Sequence, residues 1–96
     1  MASLYFDDEA RQDLLDAFTY WCIIFDTNDT TSFRKQIELA ITRVSQFPEI
    51  YEVRTSRQGL RYRSFAVWNF TFSYQFDAEK DIVRIFQIVH SASDYR

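Results

Sequence analysis

A chain of 96 residues carrying a net charge of −3 is one domain, 1–96, with a thin core, because small domains bury a smaller share of their surface than large ones. Apolar residues at 47% and aromatics at 19% exclude a disordered chain, and a single Gly with a single Pro exclude long flexible linkers. The apolar run Tyr20 to Phe25 is too short to cross a bilayer, the acidic Asp7-Asp8-Glu9 opening is unlike a secretory signal, and lone Cys22 has no partner for an internal disulfide, so a cytoplasmic location is expected.

In chain order, Ala2 to Phe6 reads as a short first strand. Asp7 stands where an N-cap belongs, with Asp8 and Glu9 in the first helical turn, where the helix dipole favours negative charge. Leu14, Leu15, Phe18, Trp21, Cys22 and Phe25 then recur at helical spacing and mark one buried face. Asp26-Thr27-Asn28-Asp29 is loop chemistry, and Thr30 or Thr31 is the expected cap of a second helix. In that helix Phe33, Ile37, Ala40, Ile41, Val44 and Phe47 form one stripe, which Pro48 stops. Ile23, Ile24 and Leu39 have no evident place on either stripe, and are either extra core or an exposed strip that a partner covers.

Glu49 to Ser56 reads as a connection with extended character around Ile50 to Val53, followed by a turn at Ser56-Arg57-Gln58-Gly59. Three strands follow over Arg57 to Val67, Asn69 to Phe76 and Ile82 to His90. The middle one alternates without a break, Phe70, Phe72, Tyr74 and Phe76 against Thr71, Ser73 and Gln75, which is the spacing of a sheet with one face buried. The alternation changes phase between Leu60-Tyr62 and Phe65-Val67, so a bulge or a tight bend near Ser64 is expected. Asp77 to Asp81 reads as a polar hairpin loop. The predicted fold is α+β, a helical hairpin packed on a mainly antiparallel sheet in the order β-α-α-β-β-β.

Charge is placed unevenly. Residues 1–50 hold nine acids and four bases, 4 − 9 = −5, whereas residues 51–96 hold five acids and seven bases, 7 − 5 = +2. Arg54, Arg57, Arg61 and Arg63 fall close together, so a local positive patch is expected at the sheet end of an acidic protein. Such a patch suits phosphate or a carboxylate-rich partner, while the bland alternative is a solvated strand face.

The element order and several short motifs resemble the RelE/ParE superfamily of bacterial toxins from type II toxin–antitoxin modules. Asp7-Asp8-Glu9-Ala10 with Asp13-Leu14 is similar to the opening of that family's first helix. Phe47-Pro48 falls where its second helix ends. Gly59, Arg61 and Arg63 resemble its Gly-x-Arg segment, and Tyr74-Gln75-Phe76-Asp77 its aromatic strand end. Ile85, Ile88, Val89, His90 and Asp94 resemble its closing strand and tail, with Ser93 where an arginine is usual. The mRNA-cleaving members carry an arginine that steadies charge on the scissile phosphate, and Thr71 falls at that place here. The resemblance therefore implies the ParE branch, which inhibits a type II topoisomerase (DNA gyrase) by binding and has no chemistry of its own. It also implies a cognate antitoxin, with a homodimer or a toxin–antitoxin hetero-oligomer as the assembly. The alternatives are a ribosome-dependent mRNA endonuclease using Arg61, Arg63 and His90, and an inactive binding module of the same fold.

His90 is the one histidine, at a strand end ahead of Asp94 and Tyr95. As a general acid or base it would need a second group, and none is evident from spacing, so a half-buried structural histidine is the preferred reading. Trp68, at a strand junction beside Asn69, is read as core, with a surface anchor as its alternative. Cys22 and His90 lie too far apart in a chain with no other such residue to supply a zinc set, and a single Gly cannot build a phosphate loop, so no cofactor or metal is expected. The expected partner surface comprises Arg54, Arg57, Arg61, Arg63, Trp68, His90, Asp94, Tyr95 and Arg96.

Overall fold

The computed structural model describes the backbone of residues 1–24 and 27–90, and the side chains of residues 1–19 and 31–90. Strand β1 (Ser3–Phe6) leads into helix α1 (Asp8–Ile24), followed by α2 (Thr27–Gln46), the two-residue β2 (Arg54–Thr55), β3 (Arg61–Val67), β4 (Phe70–Asp77) and β5 (Ile82–His90). The strands lie in the order β1-β5-β4-β3-β2. All neighbours are antiparallel except β1, which runs parallel to β5 with Ser3 beside Ile82 and Phe6 beside Ile85. A parallel neighbour demands a crossover, and the helical hairpin is part of it. Both helices cover one sheet face, α1 against β5 and α2 against β3.

The α+β architecture is the one read from the sequence, with one short strand more. Phe70, Phe72, Tyr74 and the two β5 residues Val83 and Ile85 point at the helices, where Ala10, Ala17, Phe33, Ile37 and Val44 meet them. Phe33 is the aromatic hub, with its ring centroid 5.4 Å from Phe18, 5.4 Å from Phe70 and 5.3 Å from Trp68. Ser45 ties the chain start to the end of α2, its hydroxyl donating to Ala2 O while Ala2 N donates to Ser45 O at 2.8 Å.

Several expected boundaries move. Helix α2 begins at Thr27, so Thr27, Asn28 and Asp29 are helical and Thr30 and Thr31 lie inside the helix instead of capping it. Polar residues are acceptable in a first helical turn, where four N–H groups need acceptors. Leu15 is exposed, because the inward arc of α1 is carried by the small Ala10 and Ala17 with Leu14 and Phe18 beside them. Phe47 is exposed as well, one residue past the end of α2, and Leu39 also faces out. Trp21, Cys22, Ile23, Ile24, Phe25 and Asp26 lie outside the residues whose side chains are described. The strand expected from Arg57 starts only at Arg61, since residues 56–60 form the turn: Ser56 N donates to Leu60 O and Gly59 N to Ser56 O. Gly59, at φ +87°, supplies a backbone angle that side-chain-bearing residues resist.

The bulge is not at Ser64. Pairing of β3 with β4 is regular from Arg63–Tyr74 to Val67–Phe70. The irregularity lies between β4 and β5, where Ser73 pairs Gln87 and Tyr74 pairs Ile85, leaving Phe86 as the extra residue. Across it the inward set of β5 changes from Val83 and Ile85 to Ile88. The phase change near Ser64 has a different cause. On β3 the set Arg63, Phe65 and Val67 faces the helices and Tyr62 faces the open side, while Leu60 belongs to the turn.

Candidate partner-binding surface

The four neighbouring arginines separate in the fold. Arg54 on β2, Arg57 in the 56–60 turn and Arg61 at the start of β3 are exposed, and none of them makes an ion pair among the described residues. Register sets Arg54 opposite Tyr62 and Arg61 opposite Thr55, so Arg54 shares the open face with Tyr62 and Arg61 the face of Arg63. With Arg57 in the turn, the three line one sheet edge, as a positive strip along that edge instead of a patch on one face. Arg63 is different: being on the helix-facing side of β3, its guanidinium turns under the segment that joins α2 to β2. It donates through Nη1 to Tyr51 O and more distantly to Glu49 O at 3.4 Å, and faces the Glu49 carboxylate at 3.8 Å. Its side chain is only 19% exposed.

Tyr74 completes the same fastening. Its hydroxyl donates to Pro48 O at 2.8 Å. Burial pushes the phenol up to about 12, the Arg63 cation partly opposing this and Tyr51 adding to it. The hydroxyl therefore keeps its proton, and its role as donor, throughout the physiological range. Tyr51 stacks on Phe65 with centroids 5.9 Å apart, and Phe65 in turn stacks on Phe72 at 5.0 Å.

The positive strip has a boundary invisible in the sequence. Antiparallel pairing brings the Asp77–Asp81 hairpin to the same end of the sheet as Arg61, so acids flank it. Asp77 Oδ1 is committed to its own turn, accepting from Glu79 N and Lys80 N at 3.1 and 3.2 Å. On the open sheet face Arg84 donates to the Asp7 carboxylate at 2.8 Å and to Gln75 Oε1, while Gln75 Nε2 donates to Arg61 O at 3.0 Å. The Arg84 guanidinium also lies 5.9 Å from the Phe86 ring centre. A concave surface of about 1160 Å³, lined in part by Tyr5, Arg61, Tyr62, Gln75, Lys80 and Arg84, runs along this end. Sequence reasoning missed Asp7, Gln75 and Arg84 as a group. The signal was Arg84 itself, a charge between Val83 and Ile85 on a strand whose alternate residues are buried.

His90 and Trp68 occupy the other end. His90 pairs Phe70, its ring stacked on that phenyl at 4.7 Å, beside a small cleft of about 180 Å³ lined by Asp13, Asp16, Ala17, Phe70 and Ile88. Trp68 occupies the two-residue turn between Val67 and Phe70 at φ 52°, 43% exposed with its ring against Phe33. It is thus half core and half surface. Arg61 stands at one end of β3 and the His90–Phe70–Val67 row at the other, six residue steps or roughly 20 Å away. The structure does not bring Arg61, Arg63 and His90 into one site. Thr71 lies in the sheet between Ala66 and Val89. Ser93, Asp94, Tyr95 and Arg96 lie outside the described residues.

Among the described residues, no three His, Cys, Asp or Glu side chains cluster to hold an ion, and no helix is long and apolar enough to cross a membrane. What this surface offers a partner is hydrogen-bonding cations, exposed rings and a concave open face. The chain matches the family model described as ParE toxin of type II toxin-antitoxin system, parDE, over residues 4–95. No curated protein matches it.

Proposed function

Because the chain belongs to the ParE toxin family of type II toxin–antitoxin systems, a family that implies an antitoxin partner, we propose that it arrests growth by binding a type II topoisomerase, DNA gyrase, in the cytoplasm. It cuts no RNA, and its cognate antitoxin neutralises it by covering the basic end with an acid-bearing segment. One observation supports this reading above the others: Arg54, Arg57 and Arg61 line one sheet edge, exposed and without an ion pair among the described residues, while the His90 row lies roughly 20 Å along β3 from Arg61. Binding needs only the strip. Cleavage of RNA by attack of a 2′-hydroxyl needs an acid, a base and a cation at one phosphate, and those groups stand apart.

The test is induction in a bacterium without the antitoxin. Filamentation and a DNA-damage response, with translation continuing, are the expected outcome. Immediate loss of translation, with discrete cuts in translated messages that vanish in His90→Ala or Arg61→Ala, would establish the endonuclease instead. Normal growth at high expression would indicate an inactive binding module.

A further inference from the structure

The connection from Pro48 to Val53 spans from the end of α2 to a strand of only two residues. Two exposed residues form too short a ladder to hold a strand in place on their own. Yet on β2 depends the position of Arg54, and β2 also anchors the turn that carries Arg57. The contacts that hold the connection come from the sheet beneath it. Arg63 donates to Tyr51 O, Tyr74 donates to Pro48 O, and Tyr51 stacks on Phe65. Two carbonyls that no regular ladder satisfies are thereby given donors from β3 and β4.

We infer that Arg63 and Tyr74 are positioning residues: together they clamp the 48–53 connection onto the sheet, and so hold Arg54 and Arg57 at the sheet edge that Arg61 also lines. The inference rests on the reading of that strip as the surface for an acidic partner. It divides the arginine cluster by role. Arg54, Arg57 and Arg61 meet the partner, and Arg63 arranges them. A guanidinium suits the second role because its planar fork donates to Tyr51 O and Glu49 O while facing the Glu49 carboxylate. Tyr74 supplies the other anchor without carrying a charge.

That difference provides the test, since Tyr74→Phe removes one hydroxyl and no charge. Two readouts are needed on the full chain: amide hydrogen exchange over residues 49–57, and affinity for a labelled polyglutamate peptide across a salt series. Tyr74→Phe and Arg63→Gln should each speed exchange in that segment about five-fold or more, in line with loss of one hydrogen bond, while β4 and β5 amides stay protected. Both should also weaken polyglutamate binding, and Arg63→Lys should restore it in part. Arg57→Gln is the control: it should weaken binding while leaving exchange unchanged.

If Tyr74→Phe loosens the segment but binds like wild type, or leaves exchange unchanged, the clamp is overturned and the strip stands. If the wild-type chain has no affinity for polyglutamate, the reading of the strip falls, and the positioning role falls with it. Loss of protection throughout β4 and β5 in Tyr74→Phe would assign the hydroxyl to global stability and overturn the local role.

Discussion

Tyr74 is the residue whose chemistry is most altered by the fold. Its phenol ionises near 10 in an unfolded chain and at about 12 in the folded one, chiefly because burial disfavours the phenolate. The native state therefore holds its proton more tightly. Below pH 10 both states are protonated and the contribution is fully present; between pH 10 and 12 the unfolded chain releases the proton first, so stability falls as pH rises. The loss across that window is on the order of 3 kcal/mol. Denaturant unfolding at pH 9, 10, 11 and 12 should show a fall in wild type that is much smaller in Tyr74→Phe. Equal slopes in the two proteins would contradict the burial argument. Arg63 shows what single residues conceal in a sequence. Arg61 and Arg63 have the same side chain two positions apart on one strand, yet only Arg63 is covered, because the connection from α2 passes over it and leaves Arg61 clear. Strand alternation reveals which face a residue takes, but not which loop will cross that face.

At the scale of elements, the periodic patterns were legible and the irregular joints were not. Phe70, Phe72 and Tyr74 announced β4, and Phe33, Ile37 and Val44 announced α2, because burial of one face imposes a period on the chain. The two-residue β2 has no period to read, and the start of α2 was hidden by polar residues that serve as well in a first turn as in a loop. A phase change in the alternation can come from an extra residue or from a strand that starts later than it seems, and sequence alone does not distinguish the two. At Leu60 it was the second, and at Phe86 the first. The Phe86 bulge allows a direct test. Deleting Phe86 removes the unpaired residue and lets Gln87 follow Ile85 directly, with the Ser73–Gln87 and Phe72–Ile88 pairs kept, Ile88 still in the core and Gln87 still outside it. The deletion should therefore leave the domain folded, with a denaturation midpoint close to that of Phe86→Ala, because both variants lose the contacts of the Phe86 ring with Tyr62 and Arg84. A deletion variant that unfolds while Phe86→Ala stays stable would show that β5 needs the bulge itself to keep its register.

For the whole molecule, the division of charge between the two halves of the chain was legible in outline, and the fold sharpens it. The C-terminal half carries its surplus on the β2–β3 side, with the acidic β4–β5 hairpin beside it and Arg84 paired to Asp7 from the other half. Linear charge could not show this, because antiparallel pairing decides which segments end up adjacent. The surface is a narrow cationic strip along one sheet edge of an acidic protein, suited to a partner that brings carboxylates or phosphates around that edge. Long-range attraction to such a partner weakens beyond the Debye length, about 8 Å at physiological salt, so the effect of charge reversal should shrink in high salt. We propose that this strip carries the chain to a type II topoisomerase. The decisive measurement is a supercoiling assay with purified gyrase holoenzyme and the full chain, comparing wild type with the Arg57→Glu, Arg61→Glu double variant. Wild type should block supercoiling, and the double variant should need at least about ten-fold more protein at low salt, two charge reversals at an interface being worth that much or more. Undisturbed supercoiling at saturating wild-type protein would contradict the target, and equal inhibition by both proteins would contradict the surface.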